Sequence, residues 1–206
     1  MNIILQDIGR RYNREWIFRN LNYEFISGNG YAVLGPNGSG KSTLVKLLTS
    51  SLSPSEGLIR YHKDGEDVEL DQIYQHIGIA APYVDLIEEF TLLESLDFHF
   101  RFKTILPGYD RQDLIHKLDF PGTVRNRAIK FFSSGMKQRL KLLLACYSDT
   151  RILFLDEPTS NLDRQGEQWY QGIVEESRKG RLVIVGSNQE QEYAWCEHHL
   201  QILDYK

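Results

Sequence analysis

Cysteine is nearly missing from this 206-residue chain, with Cys146 and Cys196 the only two. They stand far apart and no CxxC occurs. That excludes a disulfide framework and a paired-cysteine zinc site, and it points to a reducing compartment. Long apolar runs are missing too: the longest, residues 142–147, falls far short of the roughly 20 that a membrane-spanning helix needs. Asp7, Arg10 and Arg11 interrupt the N-terminus before a secretory apolar core could form. Positive charge is in deficit, 24 Lys and Arg against 28 Asp and Glu, for a net charge of −4. Bulk charge therefore gives no hold on nucleic acid or anionic lipid. No internal repeat, low-complexity block or Pro/Gly/Ser-rich linker divides the chain. Against these absences, 41% of residues are hydrophobic and 25% charged, enough to build a packed core. The expectation is a globular protein of the cell interior.

Short apolar runs at residues 3–5, 31–34, 152–155, 182–185 and 200–203 predict strands. Continuous rather than alternating runs indicate burial on both faces, hence an α/β fold with a mainly parallel sheet. Residues 16–18, 21–25 and 57–61 are short runs separated by turn residues, which suits a small antiparallel sheet. Residues 82–148 read as mainly helical. Within them Met136, Leu140, Leu143, Leu144 and Tyr147 share one helix face, read as core packing.

Gly35, Pro36, Asn37, Gly38, Ser39, Gly40, Lys41 and Ser42 fit G-x-x-x-x-G-K-[ST] without a mismatch. An apolar strand precedes the motif, and a helical stretch beginning with Thr43 follows it, the context in which such a loop cradles phosphates. The glycines let backbone N–H groups converge on an anion, and the helix N-terminus adds its unpaired N–H groups. Lys41 is placed for the β- and γ-phosphates of a nucleotide, and Ser42 for Mg²⁺. A second strand ends in Asp156 and Glu157. Asp156 at the strand end suits the same Mg²⁺, whereas Glu157 can orient or deprotonate an attacking water. His198 and His199, with Cys196 nearby, are adjacent on a predicted strand, so the histidines face opposite ways and are read as surface or edge residues.

Phe132, Ser133, Ser134, Gly135 and Met136 resemble the LSGGQ signature of the ABC ATPase family. Met136 stands 20 residues before Asp156, with an amphipathic helix between, as in that family. Ser160, Asn161, Leu162 and Asp163 look like its D-loop. The resemblance covers essentially the whole chain, and it implies a P-loop NTPase core, a small antiparallel β subdomain and a helical subdomain over about residues 82–148. It implies one ABC nucleotide-binding domain over residues 1–206, without a C-terminal regulatory domain. It further implies ATP and Mg²⁺ as ligands, with Gly35, Pro36, Asn37, Gly38, Ser39, Gly40, Lys41, Ser42 and Thr43 on the phosphates. Tyr12, or alternatively Trp16, would stack on adenine. Ser133, Ser134, Gly135 and Met136 would act in trans across a head-to-tail homo- or heterodimer. Transmembrane permease subunits would be further partners, placing the chain in the cytoplasm, peripheral on the inner face of the membrane; no nucleic acid is expected.

Two positions depart from the family pattern. Pro82 and Tyr83 stand where the family has a glutamine near Mg²⁺ and the lytic water. Asn188 stands where it has a catalytic histidine. Proline has no side-chain acceptor and no N–H, and an amide cannot become cationic. Slow turnover is the expectation, with Glu157, Lys41 and Asn188 as the catalytic set. The competing readings are a soluble ABC ATPase and an ATP-gated clamp that hardly hydrolyses.

Overall fold

The computed structural model describes all 206 residues, and no helix is long and apolar enough to cross a membrane. The chain opens with strands β1 (Asn2–Tyr12), β2 (Glu15–Phe25) and β3 (Gly30–Leu34), then helix α1 (Lys41–Leu48). After these come β4 (Glu56–Lys63), β5 (Glu66–Asp67), a short α2 (Ile73–His76) and β6 (Ile77–Ala80). Between β6 and β7 (Ile152–Asp156) lie helices α3 (Leu92–His99), α4 (Arg111–Leu118) and α5 (Ser134–Cys146). The turns and loops that join them make up more than half of this segment, so residues 82–148 are less helical than expected. The chain continues through α6 (Arg164–Ser177), β8 (Leu182–Gly186), α7 (Glu190–Tyr193) and β9 (His198–Gln201).

Two sheets result. Five strands in the order β6-β7-β8-β3-β9 pair in parallel throughout, and β2-β1-β4-β5 form an antiparallel sheet. The apolar runs of β3, β7 and β8 feed two cores. Ala32, Leu153, Leu155, Val183 and Val185 face α5 and α6, whereas Tyr31, Val33, Ile152, Phe154, Leu182 and Ile184 face the other way. Helix α1 lies in that second core, where Leu44, Val45, Leu47 and Leu48 meet Ile3, Leu5 and Ile8 of β1. The helix behind the phosphate loop is thus clamped from two sides. The five residues of the predicted α5 face pack into the first core, four of them fully and Met136 in part.

The structure corrects two strand expectations. Residues 3–5 belong to the antiparallel sheet, not the parallel one: Ile3 and Leu5 are buried while Ile4 between them is only half-buried. The runs at 16–18 and 21–25 are one strand, β2, because the exposed pair Arg19 and Asn20 continues the pairing through an irregular register. Asn20 there holds φ at 54°, the left-handed region that asparagine tolerates better than most residues.

In the parallel sheet β6, β7, β8 and β3 are consecutive neighbours. Their carboxyl ends therefore bring Tyr83, Asp156, Asn188 and the phosphate loop to one edge, where open α/β sheets place their ligands.

Candidate active site

The phosphate loop bridges β3 and α1. It closes on itself through the Ser39 N–H, which donates to the Pro36 carbonyl at 3.0 Å. Gly40 holds φ at 115°, and a Cβ there would lie 2.6 Å from Ile17 Cγ2, so both conformation and space demand glycine. No side chain caps α1, which leaves its first N–H groups for an anion. Lys41 is buried and folds back, its Nζ donating to the carbonyls of Gly35 at 2.8 Å and Pro36 at 3.3 Å. A cavity of about 170 Å³ opens above the loop, lined by Asn37, Gly38, Gly40, Lys41, Ser42 and Thr43, with Ile17 from β2 and Glu157. Ile17 carries no sequence signal as a site residue; only the sheet packing brings it here.

Asp156 ends β7 opposite Gly186 and is fully buried, with no hydrogen-bond partner for either carboxylate oxygen. A Cβ at Gly186 would lie 2.6 Å from Asp156 Oδ1, so glycine makes the cradle. Burial pushes this carboxyl from the ordinary 3.8 up to about 6; the Ser42 hydroxyl, short of a formed hydrogen bond, and the Lys41 and Lys46 charges pull it back, while Glu157 pushes with burial. An orphaned carboxylate beside a hydroxyl is a hard-oxygen donor set, and it fits Mg²⁺. Glu157, the next residue, is half-buried with φ at 46°, strain of the sort held at functional sites. Its N–H donates to the Gly186 carbonyl at 2.8 Å, which turns its side chain into the cavity.

The raised carboxyl has a measurable consequence for the metal-free protein. The folded state holds this proton more tightly than the unfolded chain does. The stability it confers is therefore complete below about pH 4 and is lost as pH rises through 6. Above that, the bare buried charge costs about 3 kcal/mol. Asp156→Asn keeps the shape and removes the charge. Its melting temperature in EDTA at pH 8 is expected to exceed the native protein's by several degrees, with the difference vanishing near pH 4.

Asn188 donates from Nδ2 to Asn37 Oδ1 at 2.9 Å, touching the phosphate loop without lining its cavity. Beneath it lies Glu192, which sequence reasoning missed. Fully buried, its carboxylate accepts from the Thr159 N–H at 2.8 Å and from the hydroxyls of Thr159 and Ser187. It thereby ties the turn after Glu157 to the turn before Asn188. A buried acid in the run 189–192, rich in Gln and Glu, gives no warning in the sequence. Gln138, also missed, donates from α5 to the Pro158 carbonyl at 2.8 Å. Tyr12 is 46% exposed at the end of β1 with the Arg10 guanidinium 4.6 Å over its ring, and Trp16 lies beneath Arg19 at 4.4 Å. Both stand on the hairpin that carries Ile17, outside the cavity.

Residues 133–136 lie elsewhere. Ser133 caps α5, accepting from the Met136 N–H at 3.2 Å, and Ser133 and Ser134 are exposed. With Gly135, Met136, Asn161 and Asp163 they line a separate recess of about 340 Å³. Asp163 caps α6 through its bond from the Gly166 N–H at 2.8 Å. The two adjacent histidines diverge: His198 stacks on Tyr31 at 4.7 Å and His199 meets Tyr193 edge-on at 5.6 Å.

Residues 18–160 match the profile of the ABC transporter family. The chain belongs to the ABC transporter family. Among curated members of this family, the lantibiotic transport ATP-binding protein SrtF of Streptococcus pyogenes is 31% identical over 195 residues, which cover 89% of this chain and 79% of the relative. An ABC transporter ATP-binding protein of Pyrococcus furiosus superposes over the whole of both chains with a TM-score of 0.81 at 18% identity. A bacterial ABC transporter cassette solved as a dimer gives 0.80 at 22%, over 97% of this chain and 94% of that one. At those identities the solved structures speak to the fold, which is that of ABC cassettes, a P-loop NTPase core with an antiparallel sheet beside it.

Proposed function

We propose that this chain is the ATP-binding and ATP-hydrolysing subunit of an ABC transporter, working on the cytoplasmic face of the membrane with membrane-spanning subunits supplied by other chains. One observation carries the reading. The phosphate loop and Glu157 share one cavity, with the orphaned Asp156 buried at the end of β7 directly before Glu157, while residues 133–136 line a second recess on the same molecule. Each chain thus offers two unlike half-sites, and a second cassette set head-to-tail would complete both. A cassette of like fold solved as a dimer supports the pairing of two such chains. On this reading residues 1–206 form one nucleotide-binding domain whose helical subdomain spans about 82–148.

The chemistry follows from the side chains. Loop N–H groups, the α1 N-terminus and Lys41 hold the phosphates, and Ser42 and Asp156 would hold Mg²⁺. That ion would offset the charge on the phosphate oxygens. Glu157 takes the proton of the attacking water, and the α5 N-terminus of the second cassette meets the γ-phosphate. Asn188 adds one neutral hydrogen bond where a charged one would be about twice as strong. Asn188→His is therefore expected to raise turnover about fivefold with affinity unchanged, in a steady-state ATPase assay. The same assay separates this reading from an ATP-gated clamp, which the missing charge at 188 favours.

The membrane contact is assigned to residues 83–100. Leu92 and Leu96 there are buried in the core, but Ile87 and Phe98 are 41% and 42% exposed. Beside them runs a groove of about 380 Å³ lined by Val84, Asp85, Leu86, Glu88, Lys137 and Lys141. Purification in mild detergent should bring down a membrane-spanning chain, and Ile87→Glu or Phe98→Glu should release it without lowering ATP affinity. A chain that purifies alone under all such conditions is not a transporter subunit.

A further inference from the structure

The turn after β6 contains an arrangement that neither the family nor the motifs account for. Val84 N–H donates to the Ala81 carbonyl at 3.1 Å, closing a turn over residues 81–84. Lys141 of α5 donates to the same carbonyl at 3.3 Å and pins the turn to the helix. Pro82 takes the second position, where its fixed φ suits a turn and its missing N–H costs nothing. It is exposed, and Tyr83 after it is turned inward. The Tyr83 hydroxyl is buried and has no hydrogen-bond partner. Its ring lies under Lys46, whose Nζ stands 4.2 Å from the ring centroid. Lys46 is one helical turn beyond Ser42 on α1, so the two share a face. The partner strand of β6 is β7, whose Leu155, paired with Ala80, directly precedes Asp156. Burial, and behind it the Asp156 charge, hold this phenol protonated and well above its usual range, so it remains a donor.

Buried polar groups in folded proteins nearly always have a partner, and those that do not call for an explanation. Here the orphaned hydroxyl and the two orphaned carboxylate oxygens of Asp156 stand at the ends of neighbouring strands, flanked by one face of α1. We propose that the Tyr83 hydroxyl is a ligand-shell group of the Mg-ATP site, hydrogen-bonding the oxygen shell of the bound metal, the role left vacant by the missing glutamine. The inference rests on the ATP-binding reading above. Pro82 is then not a lesion but the residue that aims its neighbour.

The test compares native protein and Tyr83→Phe by calorimetric titration with ATP in EDTA and with ATP plus Mg²⁺. Phenylalanine keeps the ring under Lys46 and deletes only the hydroxyl. The metal-free affinities are expected to be equal, the tightening produced by Mg²⁺ to shrink about tenfold in the variant, and the nucleotide-free variant to melt at or above the native temperature. A Mg²⁺ effect of equal size in both proteins would overturn the inference while leaving the ATP site intact. A native protein that binds no ATP under either condition would instead overturn the functional reading, and this inference with it.

Discussion

Glu157→Gln is expected to lower ATP turnover by about 10²–10⁴-fold while ATP still binds. The two adjacent acids divide their work by environment. Asp156 is fully buried with both oxygens unpartnered; Glu157 is half-buried and lines the cavity above the loop. Only the second is placed to meet water. Glutamine matches its shape and leaves intact the N–H bond to the Gly186 carbonyl that sets the side chain's direction, so the change isolates the loss of a base. With hydrolysis halted, ATP that bridges two cassettes is no longer consumed, and mass action favours the closed pair. Light scattering with Mg-ATP should then report twice the 24.0 kDa of one chain. A variant that stays at the single-chain mass at high protein concentration would require an obligate, unlike partner cassette. Turnover unchanged from the native protein would remove Glu157 from the reaction.

The parts of this site that could be read from sequence are those whose geometry is local. The phosphate loop is eight consecutive residues, and Asp156 and Glu157 follow directly on the strand that aims them, so spacing alone carries the chemistry. The parallel core was legible for a similar reason: β3, β7 and β8 are apolar on both faces because each feeds two cores. What stayed hidden depends on which strands become neighbours. Ile17 reaches the cavity only because β2 lies over the loop, and there it sits against Gly40. Glu192 and Gln138 brace the acid-bearing turn from elements distant in the chain. Residues 3–5 misled because three apolar residues in a row suggest burial on both faces, whereas the full strand runs to Tyr12 and half-exposes Ile4. Tyr83 was in view as the occupant of a glutamine's place, but its inward turn is set by Pro82 and by Lys141, 58 positions later in the chain as numbered, on a helix whose approach no local pattern encodes.

Removing the ammonium of Lys41 should have the largest effect on binding. The group has three donors, and two of them already go to the Gly35 and Pro36 carbonyls. The side chain is 4% exposed, so it is held in place before any nucleotide arrives. Preorganisation of this kind means that little side-chain entropy remains to be lost when phosphate binds. A charge-assisted hydrogen bond contributes about 1.5–3 kcal/mol, and a nucleotide engaging this ammonium through two phosphates would lose about 10²-fold or more in affinity without it. Lys41→Ala also strands two loop carbonyls, so loss of binding in that variant alone would mix charge with loop collapse. Lys41→Met fills the same volume without the charge and separates the two. Both variants are expected to lose Mg-ATP binding by calorimetric titration, with Lys41→Met keeping a nucleotide-free melting temperature closer to the native protein's than Lys41→Ala does. Native affinity in Lys41→Met would show that the phosphates sit away from this loop, and the cavity above it would then need another occupant.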